Sequence, residues 1–168
     1  MSFSIYDASV PPMIRMLESL SKFLDKAVHQ AKEKDIPLQR LLDASLAPDM
    51  FALPRQVQIA TDAAKGCAAR LAGLEAPSFA DTETTFPELQ ERIAKTIAYL
   101  KTVRPEQLAG GESRAITIKT PTRTLQFSGV EFLTQYANAN FFFHVTTAYG
   151  ILRSRGIEIG KLDYLGGA

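Results

Sequence analysis

The chain has 168 residues, 46% hydrophobic and 22% charged, and its 19 Lys and Arg against 18 Asp and Glu leave a net charge of +1. That length suits a single domain with one substantial core, and that composition excludes wholesale disorder. The charge balance supplies no footprint for nucleic acid and no polybasic run for a membrane surface, and no apolar run approaches the roughly 20 residues of a spanning helix.

Near the N-terminus, Asp7 and two prolines stand where a secretory signal would need a basic start and an unbroken apolar run. Pro11-Pro12 suits a helix start, because proline there forfeits no helical hydrogen bond. Met13, Leu17, Leu20, Leu24, Ala27 and Ala31 then fall on one face, with Glu18, Lys22 and Asp25 opposite. His29 lies about 160° from Met13 and is expected on the wet side. The proline-broken stretch that follows predicts a short helix around 38–43 and a loop packed on the end of the bundle.

A second long helix is expected from about 54 to 72, with Val57, Ala60, Ala64, Ala68 and Leu71 inward and Gly73 as its stop. Cys67, the only cysteine, falls among these inward residues. It reads as a small buried hydrophobe rather than a reactive thiol, and a chain without an internal disulfide fits a reducing cytoplasm. A polar connection leads to a third helix at about 87–103, striped by Leu89, Ile93, Ile97, Leu100 and Val103.

The period then changes. Ile116 and Ile118, a turn at Thr120-Pro121-Thr122, and Leu125 and Phe127 read as a β-hairpin. A fourth helix is expected from Ser128, an N-cap with Glu131 three residues on, to about Gly156. Four long helices with mostly short connections predict an all-α fold, an antiparallel four-helix bundle with a short hairpin before the last helix, filling residues 1–168 as one domain.

With Val130 set at zero, Ala137, Phe141, His144, Ala148 and Leu152 all lie within about 40° on the last helix. His144 is thereby placed at the centre of the inward face, with Asn140 one turn earlier on its flank. Two readings stay open: a core histidine satisfied by a hydrogen bond, or a metal ligand needing further partners. On the opposite side, Phe132, Tyr136 and Phe143 cluster near 200–240°, and Phe142 and Tyr149 near 100–120°. Either the hairpin or a second subunit must cover this aromatic side, and a homodimer is expected.

The stretch "AYGILRSRG" following a histidine resembles the end of the last helix in the DinB/YfiT-like superfamily of proposed metalloenzymes. More narrowly, "PDMFALPRQVQIATDAAKG", "ARLAGLEAP" and "FFFHVTTAYGILRSRGIEIGKLDYLG" resemble an uncharacterised domain-of-unknown-function family within that superfamily. The resemblance implies a four-helix bundle whose last helix carries His-x-x-x-His before Leu-Arg-x-x-Gly. Aligned on Leu152, Arg153 and Gly156, His144 matches the second histidine, and Asn140 takes the place of the first.

In the wider superfamily a histidine on the second helix completes a divalent metal site, and some members transfer groups to or from low-molecular-weight thiols. This chain departs from that pattern. Its second helix holds no histidine, with Thr61 inward and Asp62 toward the polar side. Asn140 offers a neutral amide oxygen, a poorer ligand for zinc or nickel than imidazole.

Two functions follow as expectations. The first is a cytoplasmic small-molecule-binding bundle with a degenerate metal site formed by His144, Asn140 and Asp62, and with Thr61, Phe141 and Ala148 as candidate pocket walls. The second is a divalent-metal-dependent hydrolase or thiol transferase using His144. No catalytic residue is assigned.

Overall fold

The computed structural model describes residues 4–120 and 122–167. Four long helical segments carry the bundle: α1 (Val10–Glu33), α3 (Leu53–Ala72), α4 (Phe86–Thr102) and α6 (Asn138–Ser154). Short helices α2 (Leu38–Leu42), α5 (Gly129–Glu131) and α7 (Lys161–Leu165) stand between or after them. Strands β1 (Ile116–Lys119) and β2 (Thr124–Phe127) pair antiparallel, Ile116 opposite Phe127 and Ile118 opposite Leu125. Pro121, at the expected turn, lies outside the described residues, and Thr120 N–H donates to the Arg123 carbonyl across it.

The apolar stripes become the core. All six inward residues named for α1 and all five named for α3 are buried, within one hydrophobic cluster that runs from Ile5 to Ile159. Gly73 closes α3 at φ 70°, a left-handed conformation that favours glycine. Thr85 with Glu88 caps α4, and Ser128 with Glu131 caps α5, each pair exchanging side-chain and backbone hydrogen bonds. Cys67 is buried, which pushes its thiol up to about 12, so it stays protonated and unreactive. His29 is exposed beside Glu33.

Around the bundle the neighbours run α1, α4, α3, α6 and back to α1. Side-chain pairs give the directions. Glu18 faces Lys101 while Asp25 faces Gln90, so α1 and α4 are antiparallel. Arg55 and Gln58, early in α3, reach Asp81 and Glu83 just before α4, and Thr61, one turn further along α3, meets Arg92, nearly two turns into α4. Helices α3 and α4 therefore run the same way, and the order is up, down, down, up.

Such an order needs a long return after α3. Its 20 residues rise about 30 Å, and the 13 residues of 73–85, extended, can span about 43 Å. This strap retraces the length of α3, where a short loop would have forced an antiparallel pair.

The last helix is not uniform. Residues Phe132–Ala137 form a π-helical stretch between α5 and α6. Each π turn takes in one extra residue, which shifts the phase by about 100°. Ala137, Phe141, His144, Ala148 and Leu152 face inward as expected, but Val130 is 46% exposed and Phe132 is buried. The inward expectation for Val130 fails because it carried one angular step through the π stretch, whereas Phe132 is covered by the hairpin.

The hairpin covers part of the aromatic back. Phe127 packs on Phe132 and Tyr136, with ring centroids 6.3 and 5.7 Å apart. Tyr149 packs on Phe23 and Tyr164 and donates to the Ile159 carbonyl. Phe143 remains 56% exposed.

Candidate functional site

His144 sits in the α3–α6 seam with little exposure. Its partner from α3 is Gln56, whose Oε1 lies 2.7 Å from His144 Nδ1. Gln56 Nε2 donates to the Phe51 carbonyl at 2.9 Å, which turns the amide oxygen toward the ring. Nδ1 therefore carries the proton, and the lone pair is left on Nε2. Burial, and secondarily the positive charge of Arg55, hold the imidazole below its usual pKa, so the ring is neutral near pH 7.

Neither Asn140, one turn before His144 on α6, nor Asp62 bonds to the ring. They meet across a cleft of about 190 Å³ at the junction of α3, the π-helical stretch and β1. Ile59, Ala63, Ile118, Phe132 and Ala137 give it apolar walls, and Arg70 and Tyr136 join Asn140 and Asp62 as its polar groups. The Asp62 carboxylate is already engaged, with Oδ1 2.8 Å from both Lys65 Nζ and Arg92 Nη2.

Those contacts belong to a larger network that the sequence reading missed. Arg92 is almost fully buried, and its guanidinium reaches Asp62, Asp81 and Glu83 and donates to Thr61 Oγ1 and the Ala80 carbonyl. Lys65 and Arg92 both lie over the Phe79 ring. Arg55 pairs with Asp81 and donates to Gln58, and Gln58 donates to Glu83. Three cations thus meet three carboxylates, and the strap is bound to α3 and α4.

Thr61 is consumed by this network, donating to the Gln58 carbonyl while accepting from Arg92. Phe141 and Ala148 are fully buried in the core. The structure lines one cleft with Asn140 and Asp62 and pairs His144 with Gln56 instead.

A divalent metal does not fit these residues. A catalytic zinc takes three protein ligands with an open fourth position. Here His144 offers one free nitrogen, its α3 neighbour is an amide already bonded twice, and Asp62 is held by two cations. Among the described residues no three His, Cys, Asp or Glu side chains are grouped to hold a metal ion. The second-helix residue that meets His144 is Gln56, six positions before the Asp62 expected from the sequence.

Comparison with known proteins places this geometry in a family. The domain of unknown function DUF1993 matches residues 5–165. The chain belongs to the DUF1993 family. A crystal structure of a DinB family member protein from Shewanella denitrificans resembles this DUF1993 chain with a TM-score of 0.90 at 43% identity. The match covers 98% of this chain and 93% of that one, so the whole bundle, hairpin included, is DinB-like. No curated protein matches the sequence. Among the described residues no helix is long and apolar enough to cross a membrane.

Proposed function

We propose that this DUF1993 chain is a cytoplasmic small-molecule-binding bundle that has kept the DinB-like scaffold and given up its metal site. The Gln56–His144 hydrogen bond carries the reading. A histidine bonded to an amide in the seam is a satisfied core group, and the amide cannot supply the charge that a zinc or nickel site draws from its ligands. The cleft shared by Asp62 and Asn140 is the binding site in this reading, because its polar groups converge on apolar walls. Its flank is the π-helical stretch, a distortion often found at functional sites. The proposal includes a homodimer formed through the part of α6 that the hairpin leaves uncovered.

Elemental analysis of chelator-free protein tests the reading. The expected result is no stoichiometric zinc, nickel or iron, and the same result for His144→Ala. Near-stoichiometric metal that disappears in His144→Ala would overturn this reading in favour of the divalent-metal hydrolase or thiol-transferase alternative.

A further inference from the structure

Arg70 is exposed on α3, and its side chain folds back toward the N-terminal end of the helix instead of extending into solvent. Its Nη1 lies against Gly66, so close that any side chain at 66 would collide with it. The absence of a Cβ at Gly66 gives the guanidinium a bed on the helix surface. Arg70 borders two depressions: the cleft that Asn140 and Tyr136 also line, and a shallower one shared with Gly66, Leu74 and Glu75. Among the described residues no carboxylate lies within ion-pairing distance of Arg70, whereas Arg55, Lys65 and Arg92 are each paired. Neither the Asn140 amide nor the Tyr136 hydroxyl is tied to another side chain among the described residues; Tyr136 contacts its neighbours through its ring.

We propose that this cleft binds a small aliphatic carboxylate, held by Arg70 and Asn140 with its hydrocarbon body against Ala63, Ile118 and Phe132. The proposal rests on the small-molecule reading of the cleft and names its ligand class. Guanidinium is the group suited to two-point recognition of a carboxylate, and a neighbouring amide N–H₂ adds a donor. Asp62 does not cancel this preference, because Lys65 and Arg92 already share its charge. The cleft volume of about 190 Å³ lies below the roughly 300–1,000 Å³ of drug-sized sites, which restricts the ligand to a short chain.

Amide spectra of the full-length, isotope-labelled protein test this with three probes of nearly equal shape: isovalerate, isovaleramide and isoamylamine. Millimolar isovalerate is expected to shift the amides of Ala63, Ile118 and Asn140. Arg70→Gln, an exposed substitution whose spectrum also reports folding, is expected to weaken that binding roughly tenfold. If isovaleramide or isoamylamine binds the cleft as tightly as isovalerate, or if Arg70→Gln leaves affinity unchanged, the carboxylate assignment is wrong while the cleft remains a binding site. If none of the three moves those amides, the assignment and the small-molecule reading of this cleft fall together.

Discussion

His144 and Gln56 show how one polar pair can be built into a seam of helices. The amide is fixed by the Phe51 carbonyl on one side and the imidazole on the other. Only the neutral ring suits this place, since burial and Arg55 both disfavour the cation. The folded chain therefore binds fewer protons at this ring than the unfolded chain does. Its contribution to stability is complete above the unfolded pKa of about 6.5 and is lost as the pH falls below that value toward the depressed folded one. The wild-type melting temperature should drop as the pH is lowered from about 7 to about 5, above the ordinary carboxylate range. His144→Leu should lose part of that slope. Equal slopes for the two proteins would assign the pH dependence to other groups.

The elements were unequally legible. Stripes at 3.6-residue spacing identified all four long helices, because burial of one face imposes that period on any sequence. Gln56 was missed although it stands four residues before Ala60, on the same stripe. A polar residue at a stripe position was the available signal. The π-helical stretch was not legible, since Phe132–Ala137 carries no residue pattern that departs from an ordinary helix. The strap was seen only as a polar connection, because its role depends on Arg92, which reads as a surface residue until its three carboxylates are in place. Breaking a buried ion cluster by removing one member costs about 3–5 kcal/mol, and the partial exposure of Asp62 and Asp81 puts this one near the lower end. Arg92→Ala should thus lower stability by about 3 kcal/mol. Limited proteolysis should also cut the variant between residues 74 and 85 before any other place. First cleavage in the hairpin would mean that the network does not hold the strap.

At the scale of the whole molecule, the outer side of α6 decides whether the bundle pairs. Much of the aromatic surface that suggested a partner is covered within the chain, by Phe127 over Phe132 and Tyr136 and by Phe23 and Tyr164 around Tyr149. What stays open is narrower. Phe143 is 56% exposed, and two turns along the same helical stripe Gly150 borders Leu46, which is 47% exposed. Phe51, 58% exposed, lies in the loop whose carbonyl Gln56 holds behind His144. A stable twofold contact needs about 800 Å² from each partner, with large apolar side chains near its centre. Three side chains of this size supply such a centre but not the whole area, so the contact must extend along α6. Light scattering at micromolar concentration should give twice the 18.5 kDa of one chain. Phe143→Glu, a change at an exposed position, should return the mass to one chain without lowering the melting temperature of the monomer. A wild-type mass of one chain would show that the hairpin and α7 complete the covering of the bundle and that the residual patch faces water.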